Sequence, residues 1–221
     1  MRSSCVRPTT RLRASLAALA IALVSATSPD DAVKTLDAVQ KRYDSIHDLR
    51  ASFSQTSFSP ALGKETEAHG SVVVKRPGKM RWEYAKPDGR VIVLDGTSIR
   101  IWNPEEKQLQ IAATSASNVS PTALGFLMGQ GVLRDSFDAK TVTEPGRKEL
   151  GLLLHPKGDG GFESLTLWLD PKSLQLRESV VVDLFGNRTR VTFDSTVENG
   201  GVEPSAFELA APDGAEVIDL R

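Results

Sequence analysis

Apolar and polar residues alternate with a period of two along most of this chain, and turn-forming residues break the pattern every few positions. Leu49, Ala51 and Phe53 alternate with Arg50, Ser52 and Ser54, and Met80, Trp82 and Tyr84 alternate with Arg81 and Glu83. Ile99 and Ile101 flank Arg100, Leu109 and Ile111 flank Gln110, Leu165, Leu167 and Leu169 flank Thr166 and Trp168, and Val191 and Phe193 flank Thr192. Such spacing predicts strands with one buried face. Between them stand Pro77-Gly78, Pro87-Asp88-Gly89, Asp95-Gly96, Asn103-Pro104, Asp170-Pro171, Gly186-Asn187 and Asn199-Gly200-Gly201. Connections this short close hairpins and leave no room for βαβ crossovers, so the expected sheet is antiparallel and meandering.

Two stretches depart from that rhythm. Ser28-Pro29-Asp30-Asp31 has the order of a helix start: a hydroxyl cap, a first-turn proline, then acids facing the positive dipole end. Ala32, Leu36, Val39, Tyr43 and Ile46 follow at helical spacing, which predicts one amphipathic helix packed on the sheet. From about Ala112 to Phe137 the alternation stops. There Ser120-Pro121 again reads as cap and first-turn proline, and Leu124, Leu127 and Met128 form a short apolar stripe before Gly129 and Gly131. One or two short helices are expected here as a second cover for the apolar face of the sheet, held by weak packing.

The fold begins after a leader. Arg2, Arg7, Arg11 and Arg13 precede an apolar run from Ala14 to Val24, and Val24-Ser25-Ala26 offers small residues for cleavage, so residues 1–26 read as a secretory signal peptide and 27–221 as one domain. Without those four arginines the balance is 23 Lys+Arg against 28 Asp+Glu, a net charge of −5. That sign opposes generic binding to nucleic acid. The single cysteine, Cys5, lies in the leader and cannot serve as a lipidated cysteine after it. Residues 27–221 contain no thiol, hence no disulfide and no thiolate metal site, and about 195 residues are enough for an ordinary core.

A search for chemistry returns little. His47, His69 and His155 are isolated, with no HExxH, and there is no GxSxG elbow, Walker loop or GxGxxG after a strand. No catalytic residue, metal site or cofactor is expected, although a site scattered across the fold would escape such a search. The unusual residue is Arg76. In Gly70-Ser71-Val72-Val73-Val74-Lys75-Arg76 the alternation puts Arg76 on the side of Val72 and Val74. If that side faces inward, a guanidinium is aimed at an apolar interior and needs carbonyls or a carboxylate around it. The alternative is that the strand ends before Pro77 and Arg76 lies in solvent, and spacing alone does not choose.

Ala51-Ser52-Phe53-Ser54-Gln55, Gly70 to Lys75 running into Arg76-Pro77, Arg81-Trp82-Glu83-Tyr84, Pro87 and Asp95-Gly96 resemble, in order and spacing, the LolA family of outer-membrane lipoprotein carriers. The likeness continues through Ile101-Trp102-Asn103-Pro104, Leu152-Leu153-Leu154-His155-Pro156, Phe207 and Pro212-Asp213-Gly214. Met80, where an aromatic is common, and a short loop before Gly70 depart from the family pattern. The resemblance implies an incomplete antiparallel β-barrel, mainly β with some α, whose concave apolar face is closed by an N-terminal helix and a short helical lid. It also implies a monomeric periplasmic chaperone, not an enzyme, with three partners: lipid-modified lipoproteins, an inner-membrane ABC exporter and an outer-membrane LolB-type receptor. Residue by residue it makes Arg76 a latch to the lid. Acyl-chain contacts are expected from Met80, Trp82, Tyr84, Ile92, Leu94, Leu124, Leu127 and Met128. A LolA-like glycolipid carrier or lipoprotein sensor, and a lipid hydrolase, are the other readings. A sensor would need a further domain or membrane segment.

Overall fold

The computed structural model describes residues 29–114 and 131–221. Helix α1 (Pro29–Asp44) opens the fold, as the proline and acid pattern predicts, and the expected Ser28 cap lies outside the described residues. Six strands follow: β1 (Asp48–Ser59), β2 (Lys64–Lys75), β3 (Lys79–Tyr84), β4 (Val91–Asp95), β5 (Ser98–Asn103) and β6 (Gln108–Ala113). After residue 130 come helix α2 (Leu133–Ser136) and strands β7 (Phe137–Val142), β8 (Leu150–Pro156), β9 (Ser164–Leu169), β10 (Leu176–Val182) and β11 (Arg188–Glu198). A 3-10 turn (Pro204–Phe207) and strand β12 (Glu216–Asp219) end the chain.

All twelve strands form one sheet, ordered β12-β6-β5-β4-β3-β2-β1-β11-β10-β9-β8-β7. The sheet consists of two meanders joined at its centre, where β1 pairs with both β2 and β11. It curls without closing, because β7 and β12 lie at opposite edges. The expected incomplete barrel is therefore present, but the meander is not wholly antiparallel: β12 runs parallel to β6, Val217 opposite Leu109. The chain reaches that edge by crossing the convex face, which hairpin turns alone could not predict. Ala112 and Ala113 also belong to β6, so the strand extends into the segment expected to be irregular.

The crossing segment gives the convex face its own small core. Val202 and Phe207 bury against Val93. Three cations on the convex side of the sheet donate to its carbonyls: Lys75 Nζ to Val202 at 2.5 Å, Arg81 Nη1 to Glu208 at 3.1 Å and Arg100 Nη1 to Leu209 at 2.9 Å. Strand β9 was expected to bury one face and buries both. On its convex side Trp168 lies under Arg147, whose guanidinium carbon is 4.2 Å from the ring centroid. Arg147 and Arg190 in turn pair with the buried Glu178, so the charge is neutralised where it leaves water.

Candidate functional site

The concave face is largely apolar, with polar positions at Ser179, Gln55 and, in edge-lying β6, Gln110. In register across the sheet, Ala139 faces Leu154, Leu154 faces Leu165, Leu152 faces Leu167, and Leu167 faces Ser179 of β10. On the other side of β1, Ala51 faces Val72, Val72 faces Trp82, Trp82 faces Ile92 and Ile92 faces Ile101. Strands in register with a period of two place these side chains on one surface.

Five of the residues expected to line an acyl cavity, Met80, Trp82, Tyr84, Ile92 and Leu94, are all on this face, in one cluster with the α1 side chains. Met80, Trp82 and Leu94 are buried, whereas Tyr84 and Ile92 are half-buried. Leu124, Leu127 and Met128 lie outside the described residues. Sequence reasoning missed an aromatic group at the centre of the face. Phe53 lies 4.6 Å from Trp82 and 5.3 Å from Tyr84, centroid to centroid, and Trp82 meets Phe193 edge-on at 6.2 Å. Gly70 makes this group possible. A Cβ there would be 1.9 Å from the Glu83 carbonyl oxygen and 2.9 Å from Phe53 Cε1, so the Phe53 ring occupies the space a side chain would take. The Phe53 to Gly70 pairing was the available signal, hidden until the register was known.

Helix α1 lies against β7 and β8, and its buried stripe is the one the spacing predicts: Ala32, Leu36, Val39 and Tyr43, followed by Ile46. Tyr43 reaches across the concave face and accepts a hydrogen bond at its hydroxyl from the backbone N–H of Leu176, at 2.9 Å. Burial pushes the Tyr43 phenol up to about 12, more than that bond and the nearby Arg42 pull it down. The crevice bounded by Tyr43, Leu49, Val72, Val74, Leu176 and Phe193 has a volume of only about 10 Å³. That is room for about one water molecule and no more, so the chain's own side chains fill most of this part of the interior.

Arg76 follows β2 directly, its backbone N–H donating to the His47 carbonyl at 2.9 Å. Val72 and Val74 are buried on the concave face, while Lys75 bonds to the convex strap, so the side of the strand left open by spacing is resolved as the inward one. The Arg76 side chain is 11% exposed, and Nη1 lies 3.4 Å from Asp44 Oδ1 at the C-terminal end of α1. Burial lowers its pKa, and the Asp44 carboxylate opposes that shift. Of the segment from about Ala112 to Phe137 expected to form the lid, residues 115–130 lie outside the described set. Arg42 and Glu198 make a second tie between α1 and the sheet, at 2.6 Å.

Among the described residues no group of three or more His, Cys, Asp or Glu side chains could hold a metal ion. His155 is occupied with the Glu163 carbonyl at 3.2 Å. Among the described residues no helix is long and apolar enough to cross a membrane.

An open half-barrel with a largely apolar concave face, covered in part by a tethered helix, is an architecture suited to enclosing apolar material. The family model for the outer membrane lipoprotein carrier protein LolA matches residues 44–210, and the chain belongs to that family. Among curated relatives, the outer-membrane lipoprotein carrier protein of Dechloromonas aromatica is 32% identical over 79% of this chain and 86% of its own length. That of Methylibium petroleiphilum is 31% identical over 94% and 98%. A conserved protein of Thermus thermophilus shares the fold, with a TM-score of 0.53 at 15% identity over 85% of this chain and 98% of that one. So does a DUF1329 family protein of Desulfovibrio piger, with a TM-score of 0.51 at 13% identity over 82% and 98%.

Proposed function

We propose that this protein is a periplasmic carrier that takes up the acyl chains of a lipid-modified protein on its concave face and passes them to an outer-membrane acceptor, without catalysing a reaction. The observation that carries this reading is the broad apolar cluster on the concave face of the open sheet, in a chain belonging to the lipoprotein carrier family. Each buried methylene gains roughly 0.8 kcal/mol on leaving water, so a carrier need not bind acyl chains more tightly than a bilayer does. It needs only to compete, and to release. The filled interior around Tyr43 serves release, because side chains that pack on one another when cargo is absent offset part of the binding energy.

Arg76 is the latch of this exchange. Next to the end of α1 it holds the empty, closed arrangement through the Asp44 pair. Met80, Trp82, Tyr84, Ile92 and Leu94 make the cargo surface together with Phe53 and Phe193. The donor and acceptor of cargo are an inner-membrane exporter and a LolB-type receptor, and the protein works as a monomer.

The test is incubation of the secreted protein with a triacylated lipoprotein in detergent, followed by detergent removal and mass spectrometry. Carriage predicts a soluble one-to-one complex with all acyl chains intact. Released fatty acid would establish a hydrolase, and no soluble complex would end the carrier reading.

A further inference from the structure

Two hairpin tips stand side by side at one end of the half-barrel. The register of β1 and β11 puts Phe58 opposite Arg188, so the turn at 59–63 and the turn at 183–187 are neighbours. A Cβ on Gly186 would lie 3.7 Å from Pro60 Cγ. Both turns carry large apolar side chains held out to solvent: Leu62 is 77% exposed, Leu184 66% and Phe185 86%, with Phe58 at 40% behind them. Single exposed hydrophobics are ordinary, but three in two touching turns, with Phe58 of β1 behind them, form a patch.

The 183–187 turn is not loose. Asp183 Oδ1 accepts from the backbone N–H of Phe185 at 2.8 Å and of Asn187 at 2.9 Å, and Oδ2 accepts from Asn187 Nδ2 at 2.8 Å. Gly186, at φ +78°, closes the turn by donating to the Asp183 carbonyl at 3.0 Å. These bonds leave Leu184 and Phe185 at the apex, where solubility alone would favour polar residues.

We propose that the two tips dock on a lipid bilayer, with Leu62, Leu184 and Phe185 entering the interfacial zone. Shape favours lipid over a protein partner: a specific protein interface needs roughly 1,000 Å² of matched surface, whereas a fluid interface accepts a few protruding apolar side chains without a matching pocket. Lys64 and Arg188 stand directly behind the tips, where phosphate headgroups would lie. Glu65 and Asp183 balance them, and the Asp183 carboxylate is already engaged by the turn, so the patch has no net charge to demand an anionic lipid. Tyr84 and Gln55, bonded at 3.0 Å on the concave face, lie toward this same end of their strands, so docking sets that end of the apolar face against the membrane. The inference goes beyond carriage, since the empty protein should bind a bilayer whatever its cargo.

The experiment uses phosphatidylcholine vesicles, with and without phosphatidylglycerol, and the secreted protein labelled with a polarity-sensitive fluorophore at Leu184→Cys. Cys5 is the chain's only other cysteine and precedes the secreted part. Lys172→Cys, in the β9–β10 turn at the opposite end, is the control. The label at 184 should shift to the blue with either vesicle and at high salt, while the label at 172 stays unchanged. The triple variant Leu62→Ser, Leu184→Ser, Phe185→Ser should lower the vesicle-bound fraction about tenfold, by removing most of the apolar area that partitions, with Tm unchanged. It should still form the soluble lipoprotein complex, which separates this proposal from the carrier reading. An unshifted label at 184, wild-type sedimentation of the triple variant, or binding that requires phosphatidylglycerol and vanishes in salt would each overturn it. So would a triple variant that sediments normally but no longer exchanges cargo with a membrane protein, since the tips would then be a protein contact.

Discussion

The two halves of the concave face are built from the same pattern and differ in what they hold. On the β7–β10 side, Leu152, Leu154, Leu165, Leu167 and Leu169 are fully buried beneath α1. On the β3–β6 side, burial is graded: Met80, Trp82, Leu94 and Ile99 are buried, while Tyr84, Ile92, Ile101 and Ala112 are only half so. Alternating strands create one apolar surface, and the helix converts part of it into ordinary core. The remainder keeps accessible apolar area, which is what a binding surface requires. Leucine, with few low-energy rotamers, dominates the packed half, whereas the graded half adds aromatic rings and a methionine, side chains that can conform to a flexible chain.

Truncation should separate the halves most sharply. Leu167→Ala should cost about 3 kcal/mol, lowering Tm by roughly 6–12 °C, because a residue enclosed on every side leaves a cavity. Ile92→Ala should cost about 1 kcal/mol and instead weaken uptake of an apolar dye or lipoprotein. Thermal melts and dye titrations of the two variants check this together. If Ile92→Ala proves the more destabilising, with dye binding intact, both halves are core.

Tyr43 marks the boundary, and its removal should have the next largest effect. Tyr43→Phe leaves the buried N–H of Leu176 unpaired, a loss of about 1–2 kcal/mol in urea melts at neutral pH. The sign of the alkaline effect follows from the raised pKa. The phenol ionises near 10 in the unfolded chain and at about 12 in the folded one, so its contribution is complete below pH 10 and is lost as pH rises towards 12. Urea melts at pH 9 and pH 11 should show a fall in the wild type that is smaller in Tyr43→Phe. A remainder is expected from Tyr84, which burial also raises above the ordinary value despite Arg90 nearby. An equal fall in both proteins would remove Tyr43 as the cause.

The smallest effect on stability, and the one most specific to exchange, is expected at Arg76. Because Asp44 is more than half exposed, its pair with Arg76 should contribute no more than about 1 kcal/mol to the unfolding free energy, as Asp44→Asn measures. In Arg76→Leu, loading should persist and transfer to the acceptor should slow, so that the protein accumulates with cargo. Arg76→Lys should restore transfer only in part, since an ammonium lacks the planar fork of donors. Wild-type transfer by Arg76→Leu would leave the residue with a structural role only.

Much of this arrangement was legible in residue order. The stripe Ala32, Leu36, Val39, Tyr43 needs only the helical period, and Phe53, Met80 and Trp82 need only the strand period, to be placed on the buried side of their elements. Turn pairs such as Asp95-Gly96 made hairpins the cheapest connections, which set the antiparallel meanders. The family resemblance carried by Arg81-Trp82-Glu83-Tyr84 and Arg76-Pro77 named the half-barrel, and the family match and the fold bear it out.

Other features depended on contacts between distant parts of the chain. Nothing local to Glu216–Asp219 says that these residues join β6 in parallel, because the choice is made by the strap that Lys75, Arg81 and Arg100 hold across the convex face. Trp168 reads as a solvent-facing residue until Arg147 covers it. Gly70 gives no hint of function until register places Phe53 over it, and Asp44 becomes the partner of Arg76 only when the end of α1 meets the end of β2. Sequence by itself determined which side is apolar wherever polar residues alternate, as in α1 and β3, since that follows from the period of the backbone. Tertiary structure decided which part of the apolar surface is filled and which stays open, because that depends on where one helix comes to rest.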